Sequence, residues 1–187
     1  MNIILGSKSP RRKELLSSLG YSFEIRTEET PEEFPASLPV DEVAHYIAQL
    51  KADALFPTLN EQELLICADT TVEIDNQLLG KPIDAAEASR MLSMLSGRTH
   101  RVRTGVVLLS LEHKLSFTVK TEVTFKRLSS DEIDFYIANY QPFDKAGSYG
   151  IQEWIGYIGI QKINGSYNNV VGLPTHEIYQ AIQDFMH

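Results

Sequence analysis

The chain has 187 residues, 43% of them hydrophobic and 22% charged, with a formal net charge of −8 and a pI near 5.1. Such a length and apolar content fit one ordinary domain over residues 1–187 with a buried core, and exclude disorder. The acidic balance argues against nucleic acid or an anionic membrane as partner, because both call for a basic face, yet it leaves room for a small polyanion in a locally basic pocket.

In chain order, Asn2–Leu5 is an apolar run that predicts a short buried strand. Ser9 and Pro10 then read as the cap and first residue of a helix, with Leu15, Leu16 and Leu19 on its apolar face and Gly20 at its end. Residues 21–26 predict a second strand. The polar segment 27–39, with four glutamates and three prolines, predicts a loop. It leads into a helix over 40–55, whose apolar stripe of Val40, Val43, Ala44, Ile47, Ala54 and Leu55 also takes in Lys51.

Residues 64–67 predict a central strand closing at Ala68, Asp69 and Thr70, followed by a hairpin of 71–74 and 77–79 around Asp75 and Asn76. Asp84 and Glu87 form a capping-box pattern for a helix that carries Ala88, Met91, Leu92 and Leu95 and stops at Gly97. Two long strands, 100–111 and 114–128, are expected as neighbours. Ser130 is expected to cap a helix presenting Ile133, Tyr136, Ile137 and Tyr140; a strand at 157–163 and a final helix from Pro174 complete a mixed α/β chain without repeats or linkers.

Four cations, Lys8, Arg11, Arg12 and Lys13, crowd the turn between the first strand and first helix. A helix N-terminus favours anions, so cations there oppose the helix dipole by a few tenths of a kcal/mol unless an anion docks among them. Ser7 and Ser9 add hydroxyls, and arginine grips phosphate in a bidentate manner. A solvated basic turn paired with nearby glutamates is the plain alternative, and the spacing is not that of a Walker loop. Lys51 either snorkels to solvent or faces a ligand. Asp69 either makes a local Asx turn or, at a strand end, binds a metal or takes a proton from water. Lys81 sits in a rigid Gly-Lys-Pro turn, and Gln152 follows a stretch in which Gly147 and Gly150 permit close backbone approach. His45, His100, His113, His176 and His187 show no metal-ligand spacing. As a set, these residues suit the cleavage of a metal-bound polyphosphate, in which positioning and charge stabilisation do most of the work.

The blocks LGSKSPRRKELL, ADTTVEI, GKP, LSGRTHRVRTGV, DKAGSYGIQ and GSYNNVVGLP resemble, in order, the signature blocks of the Maf-like nucleoside triphosphate pyrophosphatases. The resemblance spans nearly the whole chain. It implies an elongated twisted mixed sheet flanked by helices, with two lobes around a central cleft, similar to inosine triphosphate pyrophosphatases. It also implies release of pyrophosphate from a nucleoside triphosphate with a divalent cation, Mg²⁺ or Mn²⁺. Ser7, Arg11 and Lys51 resemble the triphosphate-holding residues, Asp69 the catalytic base or metal-associated carboxylate, and Lys81 the group that balances charge as the bond breaks; Glu33 is a weaker candidate for metal or water. Arg12, Thr70 and Gln152 resemble the set in members acting on dTTP and UTP, where the branch acting on 7-methyl-GTP carries tryptophan, glutamine and glutamate.

Thr71, and the sequence Glu153-Trp154-Ile155 after the glutamine, depart from the family pattern and bear on base preference. The resemblance further implies a homodimer and a link to nucleotide pool sanitation and cell division arrest. The rival readings are a non-catalytic nucleotide-binding regulator of septum formation and a 7-methyl-GTP pyrophosphatase. The one cysteine, Cys67, the absence of any stretch of about 20 apolar residues, and an N-terminal apolar run too short for a signal peptide point to the cytoplasm.

Overall fold

Asn2–Leu5 forms strand β1, and its buried Ile3, Ile4 and Leu5 alternate between the two faces of a sheet. The computed structural model describes residues 1–186. Helix α1, Pro10–Ser18, is capped by Ser9, whose hydroxyl accepts from the Arg12 N–H, and the chain leaves it through Gly20 at φ +84°. The next strand, β2, is only Phe23–Ile25, shorter than expected, and pairs parallel to β1. After the irregular acidic segment, a 3-10 turn at Val40–Glu42 leads into helix α2, Val43–Leu55.

Strand β3 is Glu63–Ile74, parallel to β1, and it runs unbroken through Asp69. The expected strand end at Asp69 is therefore corrected. The β-branched sequence Thr70-Thr71-Val72 continues the extended backbone, and the strand turns only at Asp75 and Asn76, both at positive φ, into the antiparallel β4, Gln77–Leu79. Helix α3, Ala85–Leu95, starts at the Asp84 cap. Strands β5, Thr99–Leu109, and β6, Lys114–Phe125, follow.

Helix α4, Ser130–Tyr140, is capped by Ser129 rather than Ser130, because Glu132 lies at the third helical position and closes the box onto Ser129. Helix α5, Trp154–Gly159, occupies part of the segment expected as strand, so β7 is only Ile160–Asn164, antiparallel to β6. Helix α6, Tyr167–Val171, has no counterpart in the sequence reading, and α7, Thr175–Met186, closes the fold. The sheet is mixed and seven-stranded, in the order β2-β1-β3-β5-β6-β7 with β4 beside β3, and helices flank it.

The chain forms two compact units, and β3, β5 and β6 each contribute residues to both. The first holds Met1–Thr70, Thr104–Val119 and the segment starting at Gly172. Strand alternation sorts its core into two layers. Ile3, Leu5, Leu64, Ile66, Ala68, Val106 and Leu108 pack with Leu16 of α1 and Ile178 and Ile182 of α7. Ile4, Leu65, Cys67, Val107 and Leu109 pack with Ala48, Ala52 and Leu55 of α2. Gly105 allows α2 its close approach, since a Cβ there would overlap the backbone of Ala44 and His45. The second unit, Thr71–Arg103 and Lys120–Val171, has its own core of α3, α4 and strand residues around Phe125, Tyr136 and Leu92.

Candidate active site

Parity along β3 decides what each site residue of the first unit meets. Asp69 shares the face of Leu65 and Cys67 and so turns toward α2. On α2, Lys51 lies one turn beyond the buried Ile47. Instead of reaching solvent, its ammonium donates to Asp69 Oδ1 at 2.7 Å and pairs with Glu32 Oε1 at 2.7 Å. The Lys51 and Asp69 side chains are 18% and 16% exposed and Glu32 is 52% exposed, so the cation is shielded at one end and open at the other. Glu33, one residue further on, is exposed.

Thr70 shares the opposite face with Ala68 and meets α1. Arg12 spans this side: Nε donates to the Gly172 carbonyl at 2.9 Å, Nη1 to Ser7 Oγ at 3.3 Å and Nη2 to Thr70 Oγ1 at 3.1 Å. Thr70 Oγ1 is 2.9 Å from Oγ1 of the buried Thr104, which the same alternation brings from β5. Ser7 Oγ also accepts from the Ser9 N–H at 3.2 Å, so its own O–H remains to donate. Burial pushes the Arg12 guanidinium below its ordinary value; the charges of Asp69 and Glu32 oppose that, and the neighbouring Arg11 adds to it. Arg11 is half-buried, while Lys8 and Lys13 are exposed.

Of the predicted residues, then, Ser7, Arg12 and Thr70 fall into one hydrogen-bonded group and Lys51 and Asp69 into another, within the first unit. Lys81 and Gln152 belong to the second unit. Lys81 is exposed and Gln152 half-buried, and neither side chain has a hydrogen-bond or ion-pair partner among the described residues. Glu32, Thr104 and the Gly172 carbonyl escaped the sequence reading. Glu32 was hidden among four equivalent glutamates; Thr104 was a polar residue inside an apolar strand, and only β3–β5 parity could have marked it.

Among the described residues no three His, Cys, Asp or Glu side chains form a metal-binding group, and His187 lies outside them. The oxygen pair of Asp69 and Glu32 around one ammonium is nonetheless the donor type hard divalent cations take, and Mg²⁺ commonly uses one or two carboxylates, with phosphate and water in its other positions. Among the described residues no helix is long and apolar enough to cross a membrane.

A family model described as Maf-like protein matches residues 2–185. The chain belongs to the Maf family. Among its relatives, a dTTP/UTP pyrophosphatase of Porphyromonas gingivalis is 50% identical over 186 residues, covering 98% of this chain and 94% of that protein. A dTTP/UTP pyrophosphatase of Phocaeicola vulgatus is 52% identical over 182 residues, covering 97% of this chain and 94% of the relative. Among solved structures, the Ham1 protein of Staphylococcus aureus aligns over 100% of both chains with a TM-score of 0.56 and 13% identity. At that identity the likeness is one of fold, and it agrees with the mixed sheet flanked by helices expected for a Maf chain.

Proposed function

We propose that this Maf protein is a hydrolase that cleaves the α–β phosphoanhydride of dTTP and UTP, giving the nucleoside monophosphate and pyrophosphate. The observation that carries the reading is the Lys51 ammonium held between the Asp69 and Glu32 carboxylates, in the unit that also holds the Arg12–Ser7–Thr70 group. Relatives named dTTP/UTP pyrophosphatase, about half identical over nearly the full chain, support it.

In this reading Asp69 takes a proton from the water whose oxygen bonds to the α-phosphorus, and the bond from that phosphorus to the bridging oxygen breaks, its electron pair leaving with pyrophosphate. Lys51, Arg11 and Arg12 neutralise the polyphosphate, with Ser7 donating its free O–H to a phosphate oxygen. Asp69 and Glu32 would hold a divalent cation, and Glu33 stays a weaker candidate. Such an ion, Mg²⁺ or Mn²⁺, supplies charge neutralisation at the phosphate oxygens.

By resemblance, Lys81 balances charge on the leaving group and the Gln152 amide pairs with the O4/N3 edge of thymine or uracil. An amide that pairs with the base edge rejects a base that leaves it unmatched. The enzyme is read as one functional domain over residues 1–187, a cytoplasmic homodimer with a role in nucleotide pool sanitation.

The test is a panel of dTTP, UTP, CTP, purine triphosphates and 7-methyl-GTP with Mg²⁺ or Mn²⁺, read by pyrophosphate release, for the native chain and Asp69→Asn. The expected result is turnover of dTTP and UTP, abolished by the variant while it remains folded. Nucleotide binding without release would sink the enzymatic reading. Preference for 7-methyl-GTP would overturn the assignment of Arg12, Thr70 and Gln152, and undiminished release by Asp69→Asn would remove Asp69 from the chemistry.

A further inference from the structure

The segment Asp144 to Glu153 in the second unit is mostly irregular, yet hydrogen bonds and ion pairs tie it down at several points. Its Gly147 N–H donates to the Gly80 carbonyl at 3.1 Å, tying it to the turn that presents Lys81. Gly150 and Glu153 close a single turn, with the Glu153 N–H donating to the Gly150 carbonyl at 3.0 Å, and Gln152 lies within it.

One hydroxyl grips both ends of this turn. Tyr136 of α4 is fully buried; its oxygen accepts from the Gly150 N–H at 3.0 Å and its O–H donates to Glu153 Oε2. The other carboxylate oxygen of Glu153 pairs with Lys145 Nζ at 3.1 Å, and that ammonium, on a 10% exposed side chain, also pairs with Asp144 at 2.6 Å. Glu153 is the residue before α5, a place where a short polar side chain would normally cap the helix, but its carboxylate makes no cap bond. A Cβ at Gly150 would stand 2.7 Å from Glu153 Cδ and 2.9 Å from Oε2, so a side chain there would push the Glu153 carboxylate from its place. Trp154 rests against Phe135 with ring centres 4.7 Å apart, and Ile155 is fully buried. The departure from family pattern after the glutamine is thus committed to internal packing, while the Gln152 amide makes no hydrogen bond among the described residues.

We propose that Tyr136, Glu153 and Lys145 form a clamp, anchored on the fully buried Tyr136, that positions the Gln152 turn and thereby sets discrimination between pyrimidine bases. The clamp rests on the reading of Gln152 as the base-pairing group. These three are positioning residues: they act through the turn rather than on the nucleotide. A buried polar network of this kind holds one geometry because every member loses a partner if the turn shifts.

The test is Tyr136→Phe, which removes the hydroxyl and keeps the ring, beside Gln152→Ala. Hydrogen–deuterium exchange reads the clamp without any substrate. The Gly150 amide loses its acceptor, so exchange over 150–153 rises by about tenfold while α4 keeps its protection. Steady-state kinetics reads its use: the ratio of kcat/KM for UTP to that for CTP falls about tenfold in both variants, with the change in Tyr136→Phe carried by KM and not by kcat. Lys145→Met, which frees Glu153 from its other side, gives the same signature and serves if Tyr136→Phe does not fold.

Exchange at the native rate overturns the clamp and leaves the substrate assignment standing. An unchanged UTP/CTP ratio in Tyr136→Phe, when Gln152→Ala lowers it, overturns the positioning role. A ratio that Gln152→Ala does not move overturns base reading by Gln152, and the positioning proposal with it.

Discussion

Replacing Lys51 with methionine tests whether its ammonium separates two carboxylates. Methionine keeps an unbranched apolar stem at this position of α2, so the main loss is the charge. Asp69 and Glu32 each lie 2.7 Å from the same nitrogen, so their nearest oxygens are at most about 5.4 Å apart. At an effective dielectric of about 20, two like charges at that separation repel by about 3 kcal/mol. The Glu32 side chain is half-exposed, and screening reduces the net effect to about 1 kcal/mol. In a domain of this size that lowers Tm by about 2–4 °C. Differential scanning calorimetry at neutral pH should show this drop, should show Lys51→Met combined with Glu32→Gln recovering most of it, and should show millimolar Mg²⁺ raising the Tm of Lys51→Met more than that of the native chain. A variant that melts with the native protein and responds to Mg²⁺ no more than it does would refute the reasoning, because the Lys51 ammonium would then not be what offsets the repulsion of the two carboxylates.

Two further outcomes follow from packing and from burial. Gly6→Ala places a methyl against Cys67 Sγ and 3.0 Å from Leu55 Cδ1, overpacking the α2 side of the core by about 1–3 kcal/mol; adding Cys67→Ala should restore part of that in urea unfolding, and full stability of the single variant would contradict the packing described. His100 is buried, its Nε2 lies 2.7 Å from Tyr149 Oη, its Nδ1 has no hydrogen-bond partner among the described residues, and burial pushes its pKa down to about 3. The unfolded chain takes up that proton near the ordinary pKa of about 6.5, so this residue makes stability fall as pH drops from about 6.5 toward 3. His100→Gln, which binds no proton, should flatten the dependence of Tm on pH in that window; an unchanged slope would mean that the ring is protonated in the native state.

Where periodicity and punctuation agree, the elements were legible. The Ser9-Pro10 start, the Asp84 cap and the Asp75-Asn76 turn each carry a local chemical reason, and each appears where that reason puts it. The strand expected at 157–163 begins only at Ile160: Tyr157, Ile158 and Gly159 are as apolar as a strand but end a helix, and Gly159 packs so close that a Cβ there would stand 2.9 Å from the Phe125 ring. The site was legible in part for the same kind of reason. The side chains of Lys51 and Asp69 were visible as polar residues in apolar surroundings, but their meeting required knowing that β3 continues past Asp69, so that odd-numbered positions face α2. Which of four glutamates reaches Lys51 depends on an irregular loop with no period to read.

The three-way anchorage of Arg12 has a consequence for what it can offer a guest. Its Nε–H and one N–H on each terminal nitrogen are already engaged by the carbonyl of Gly172 and by Ser7 and Thr70. One N–H on each terminal nitrogen is left over, so a phosphate that takes more of Arg12 than these two has to displace a bond that holds the fold. Its charge is thereby fixed in place by the fold, and lysine at this position would bring the charge while leaving the fold to lose its strap.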